Sequence, residues 1–259
     1  MRGVAFAVGL VVALVVKAGP ARAGSGEEAL YRKALENIVR TRFEANGTVD
    51  GTSGGQLRLR LRHAQLDGRR TWIEITSPKE LQGQRWLIVD RDGGDGDKIW
   101  HYDPKTKKTA EVPKERWNEP WLGTTFALAD FLLPDPNAYT FELGGEENVG
   151  GETFTVVRLT PKQKGADRFM VRVYSIDSRG NRLVRGLFFD QQGRAVARWI
   201  VERTEQRGGE WFPAQLRVMD LSSQRGSVLT LADFKYEFEA PPDAFETGGL
   251  VPRPTPPSK

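Results

Sequence analysis

Residues 97–135, DKIWHYDPKTKKTAEVPKERWNEPWLGTTFALADFLLPD, decide how this chain folds. The stretch opens as a half-buried strand, Lys98 to Tyr102, turns at Asp103-Pro104 and returns through the basic run Lys105 to Val112, which makes a hairpin. Beyond it, Trp117, Trp121, Leu122, Phe126, Leu128, Phe131, Leu132 and Leu133 fall in a connection broken by Gly123 and by prolines. No regular element runs through such a segment. An apolar connection of this length needs an apolar surface to lie on.

That surface is a sheet. Leu57, Leu59 and Leu61 alternate with Arg58, Arg60 and Arg62 in a strict period of two, leucines on one face of a strand and arginines on the other. Similar runs follow from Arg70 to Thr76 and recur as far as Val228 to Tyr236, separated by turn pairs such as Asp67-Gly68, Gly150-Gly151, Gly208-Gly209 and Arg225-Gly226. About a dozen strands joined by short turns imply one large antiparallel sheet, which must curl. On the other side of the hairpin, Leu30, Ala34, Leu35, Ile38 and Val39 share one face of a helix that should end near Thr41 and pack on the sheet. The expected fold is therefore mainly β: a large curled antiparallel sheet, an incomplete barrel, with an N-terminal helix and a short helical or loop lid over an apolar cavity. Many strands carry bulky residues on both parities, so the sequence leaves the concave face open.

The ends of the chain read differently. Arg2, an apolar run from Val4 to Val16 and the small-x-small site Ala21-Arg22-Ala23 make residues 1–23 a secretory signal, with cleavage after Ala23 and a periplasmic destination. Residues 24–247 suit one β domain, and 248–259, rich in proline, reads as a disordered tail. The chain has no cysteine, which excludes disulfide, thiolate and thioether-lipid chemistry. Its 38 Lys+Arg against 34 Asp+Glu include three cations and no acid within residues 1–23, so the exported chain is close to neutral. Without a basic domain or a recognisable module, no nucleic-acid partner is expected.

Catalytic signals are weak. Gly51-Thr52-Ser53-Gly54-Gly55 matches the letters of a nucleophile elbow, but that mechanism needs a strand-to-helix turn, and here a strand follows. Asp90, Asp92, Asp95 and Asp97 crowd a glycine-rich turn with calcium-like composition, yet fit neither an EF-hand nor a GGxGxD spacing, so a solvated, dispensable turn is expected. Two histidines and no cysteine fit no usual zinc arrangement. No catalytic residue, metal or cofactor is assigned.

Trp100-x-Tyr102-x-Pro104, the basic run Lys105 to Lys108, Gly123-x-x-Phe126, Asp130-Phe131, Phe189-Asp190-x-x-Gly193, Trp211-Phe212-Pro213 and Asp220 to Thr230 resemble the outer-membrane lipoprotein-sorting protein family, relatives of the periplasmic lipoprotein carriers. The family usually has an acid near the position of Thr125. The resemblance implies a half-barrel with an apolar concave face covered by short helices, holding lipid or lipoprotein acyl chains between membrane-associated donor and acceptor proteins. It also implies a concave-face arginine that holds the lid, a position matched to none of Arg58, Arg60, Arg62 or Arg70. The candidates for cavity and lid are Trp72, Trp86, Trp100, Tyr102, Trp121, Leu122, Phe126, Leu128, Phe131 and Leu132, with Trp121, Phe126 and Phe131 expected to cover a cavity rather than fill a core. The functional expectation is a non-enzymatic carrier. The alternative is an envelope adaptor or sensor of the same fold, beside an exporter, with the cavity filled by its own side chains.

Overall fold

The computed structural model describes residues 25–38, 41–52, 55–91, 96–165, 167–240 and 243–252. Residues 1–23, read as a secretory signal, lie outside them, as do Ser53 and Gly54 of the elbow-like loop and Asp92 to Asp95 of the acidic turn.

A helix, α1 (Ser25–Glu36), precedes thirteen strands: β1 (Phe43–Thr52), β2 (Gly55–Leu66), β3 (Gly68–Ser77), β4 (Arg85–Asp90), β5 (Lys98–Asp103), β6 (Lys108–Glu111), β7 (Tyr139–Val149), β8 (Glu152–Pro161), β9 (Val171–Asp177), β10 (Arg182–Phe189), β11 (Ala195–Arg207), β12 (Glu210–Asp220) and β13 (Arg225–Tyr236). All lie in one antiparallel sheet in the order β6-β5-β4-β3-β2-β1-β13-β12-β11-β10-β9-β8-β7. The neighbours are nearly all consecutive hairpins. The exception is the central pair β1 and β13, which joins the two halves through partners such as Gly47 and Leu231. Gly47 is required there: a Cβ would stand 2.7 Å from a methyl of Leu59 and 2.9 Å from one of Leu231.

The sheet is open at both edges but strongly curled. Residues of β3, β2, β13, β12, β11 and β10 line a single void of about 100 Å³, although a flat sheet would hold β3 and β10 roughly 29 Å apart at the usual strand spacing. One face therefore wraps inward. On it Phe43, Leu59, Leu61, Ile73, Ile75, Trp86, Ile88 and Ile99 form the core of the first half. In the second half α1 inserts Tyr31, Ala34, Leu35 and Ile38 against Phe141, Val157, Leu159, Ile176 and Leu183.

Differences from the expected boundaries have local causes. The helix stops at Glu36 rather than near Thr41, because Asn37 accepts the Trp211 backbone N–H at 2.9 Å and Ile38 forms a parallel bridge with Trp211. Residues 248–250, expected in a disordered tail, belong to a 3-10 turn, Thr247–Leu250, whose Leu250 is fully buried. The Arg85 guanidinium donates to the Leu250 carbonyl at 2.9 Å, and Arg70 donates to that of Phe245 at 2.9 Å. The C-terminal segment is thereby strapped to the outer face of the first half-sheet.

Candidate functional site

Residues 113–138 cross the inner face as four short 3-10 turns, Lys114–Arg116, Trp121–Gly123, Leu128–Phe131 and Pro136–Ala138. Prolines precede the first two, which fixes the backbone without supplying a donor. Between Trp121 and Gly123 the chain reverses through the left-handed region, with φ of 51° at Leu122 and 77° at Gly123. Trp121 and Phe126 then close a small loop, the Trp121 N–H donating to the Phe126 carbonyl at 2.7 Å. Thr125 anchors it: its N–H donates to Ser227 Oγ at 3.0 Å and its hydroxyl to the Val218 carbonyl at 2.7 Å. The threonine thus binds β12 and β13 directly.

Burial divides this lid in two. Trp117, Trp121, Phe126, Ala127 and Leu128 are buried, Phe126 to 1% exposure. Trp121 packs edge-on against Trp86 at 5.3 Å and against Phe131 at 5.6 Å. Past Leu128 the side chains of Phe131, Leu132 and Leu133 are only half-buried. The first part therefore fills a core, which corrects the expectation for Trp121 and Phe126; the second part covers the void.

The void, about 100 Å³, is framed by Leu61, His63, Trp199, Phe212 and Leu229 on the sheet and by Phe131 and Leu133 on the lid. It has room for about three water-sized groups. Trp211 also lines it, and the buried Trp211 indole N–H has no acceptor among the described residues. A buried unpaired donor costs about 1–3 kcal/mol.

The polar clasp at this end escaped the sequence reading. Asp90, placed there in a solvated turn, is the last residue of β4 and only 4% exposed. Its carboxylate accepts from Arg69 at 2.7 Å and from the Leu133 backbone N–H at 3.0 Å, joining sheet to lid. Arg69 lies on the inner face, where it lines the void. Arg58, Arg60, Arg62 and Arg70 alternate with inward-facing residues and point outward, Arg62 lying over the Trp72 ring at 4.5 Å. Nearer the centre of the lid, Asp130 pairs with Arg168 of the β8–β9 loop. In the acidic turn, burial pushes the Asp97 carboxyl up to about 6, with the Asp90 charge adding to the shift against the Arg91 N–H bond.

Of the ten candidates, Trp86, Trp121, Leu122, Phe126, Leu128, Phe131 and Leu132 meet on the inner face. Trp72, Trp100 and Tyr102 do not. They stand at the opposite parity of β3 and β5 and pack outside against Phe238, Phe245 and Leu250. Two apolar faces in the first half-sheet are the reason alternation failed there, since β4 is buried at five consecutive positions. Among the described residues no cluster of His, Cys, Asp or Glu suits a metal ion. The elbow-like loop joins two paired strands rather than a strand and a helix.

A family model described only as that of an uncharacterized protein matches residues 67–251, well over half of the chain. The fold superposes on a domain from Vibrio parahaemolyticus described as an outer membrane lipoprotein-sorting protein domain, with a TM-score of 0.79 at 16% identity over 87% of this chain and 98% of that one. The chain belongs to the matched family and has the lipoprotein-sorting fold. The same fold is shared with a DUF1329 family protein from Desulfovibrio piger, TM-score 0.79 at 18% identity over 86% and 97% of the two chains. A LolA superfamily protein from Nitrosomonas europaea follows with 0.63, at 19% identity over 85% and 96%. Among curated proteins there is no match.

Proposed function

We propose that this protein is a periplasmic, non-enzymatic carrier that shields a lipid or the acyl chains of a lipoprotein during outer-membrane lipoprotein or lipid sorting. One observation carries the reading: an apolar inner face is covered by a segment of short 3-10 turns instead of strands, and a void remains beneath the less buried half of that segment. The apolar run from Val4 to Val16 and the Ala21-x-Ala23 site support export. The lipoprotein-sorting fold of the relatives supports the class of cargo.

The energetics suit carriage. Each methylene withdrawn from water contributes about 0.8 kcal/mol, so a long chain gains several kcal/mol by burial. The closed form has no room for a whole chain, so part of the lid must move. Release then needs no nucleotide, because a lid that recloses over its own core competes with the cargo for the same surface. Donor and acceptor would be membrane-associated proteins that differ in affinity for the loaded form.

A second reading, an envelope adaptor with a self-filled interior, is favoured by the burial of Trp117, Trp121, Phe126 and Leu128. Mass spectrometry of organic extracts from protein purified without detergent separates the two. The carrier should yield a stoichiometric acylated lipid. An empty extract, with no saturable uptake of added lipid, would replace the carrier by the adaptor.

A further inference from the structure

We infer that an acyl chain is admitted end-on, through a mouth between α1 and residues 133–137, and that only the 130–137 half of the lid moves. The inference rests on the carrier reading and adds to it the path of the ligand.

Three features of the molecule coincide at this end. First, the void, itself partly open, touches the lid only through Asp130, Phe131 and Leu133, and none of residues 117–128 lines it. Second, an open cavity of about 250 Å³ lies between α1 and the lid's end, and it shares Ile38, Arg69 and Leu133 with the void. The two spaces therefore adjoin at these side chains. Third, burial falls along the lid, from Phe126 in the core to half-buried Leu133 and Pro134 and exposed Asn137. Raising residues 117–128 would expose two tryptophans and a phenylalanine from packed surroundings. Raising 130–137 exposes half-buried groups and breaks a few polar contacts, chiefly Leu133 N–H to Asp90, Arg168 with Asp130, and Arg32 to Asn137 Oδ1 at 2.7 Å.

At the far end an open cavity of about 400 Å³ borders residues 123–127, but it shares no lining residue with the void. Thr125 ties the lid to β12 and β13 with two part-buried hydrogen bonds. At the mouth, Trp211 lies beside Ile38 with its indole N–H lacking an acceptor among the described residues.

The absence of native cysteine allows each end to be pinned separately. In Arg32→Cys/Asn137→Cys a short bismaleimide bridges the mouth; in Thr125→Cys/Ser227→Cys a disulfide fixes the far end. Uptake of dansyl-labelled undecanoic acid should slow by at least roughly tenfold when the mouth is bridged and stay within about twofold when the far end is fixed. Each bridged form is compared with its own unbridged variant, which has already lost the Arg32–Asn137 contact or the Thr125 anchor, so that the covalent link alone accounts for the difference. Blocking by the far-end disulfide alone, or equal slowing by both bridges, would overturn the inference while leaving the carrier reading intact. No uptake by wild type would overturn both. Amide exchange of the unaltered protein provides a second readout: residues 130–137 should exchange faster than 117–128 and slow when the probe is added, and uniform exchange along the lid contradicts the two-part lid.

Discussion

At the scale of single residues, Phe126 and Phe131 differ although they lie five positions apart in one aromatic run. Phe126 is 1% exposed, whereas Phe131 is half-buried above the void. Phe126→Ala is expected to cost about 3–5 kcal/mol in chemical denaturation. Phe131→Ala should cost nearer 1 kcal/mol and weaken binding of an acyl probe. Equal destabilisation by the two would contradict the division of the lid. Trp211→Phe removes an unpaired indole donor at the expense of some packing, so stability should stay within about 1 kcal/mol of wild type. A loss of several kcal/mol would show that lost packing, or a partner of the indole, outweighs the unpaired donor. The sequence marked the aromatic run but not this contrast, because composition reports that a segment is apolar and not how much room lies under each side chain. Parity misled in the same way at Trp72, Trp100 and Tyr102: in strands buried on both faces, alternation no longer distinguishes inside from outside.

Among the elements, the hairpins and the broken, apolar lid were legible from period, turn pairs and prolines. β1 was not, since Asn46, Gly47, Asp50 and Gly51 lower its strand signal, and Gly47 is explained only by its approach to Leu59 and Leu231. The C-terminal strap was missed because its anchors, Arg70 and Arg85, bind backbone carbonyls, which leave no pattern in the sequence. Leu250→Ala is therefore expected to cost about 2–5 kcal/mol; a change below roughly 0.5 kcal/mol would return the segment to a passive tail. The turn between β4 and β5 gives a pH test. Burial raises Asp97 from its ordinary 3.8 to about 6, so the folded form holds the proton more tightly than the unfolded chain. Its contribution is complete below the ordinary value and is lost as pH rises through about 6. Asp97→Asn keeps an acceptor for the Arg91 N–H at the position of Oδ1. Its melting temperature relative to wild type should rise between pH 4 and pH 7, and a constant difference would mean that Asp97 titrates normally.

For the molecule as a whole, the antiparallel order and the short turns made a curled sheet foreseeable, and the resemblance in residues 100–131 and 189–230 pointed to the lipoprotein-sorting fold that the structure has. The direction of curl was not foreseeable, because it depends on which face receives α1 and the lid. The clasp was hidden for a similar reason: Arg69 and Asp90 lie far apart in sequence and meet only through the β3–β4 register. The central claim is that the interior admits one acyl chain when the outer half of the lid gives way. Equilibrium titration of delipidated protein with dansyl-labelled undecanoic acid tests it most directly. Saturation at one probe per chain, reversed by an unlabelled palmitoyl lysophospholipid, is predicted; a fluorescence increase that stays linear in probe concentration and resists displacement would contradict it.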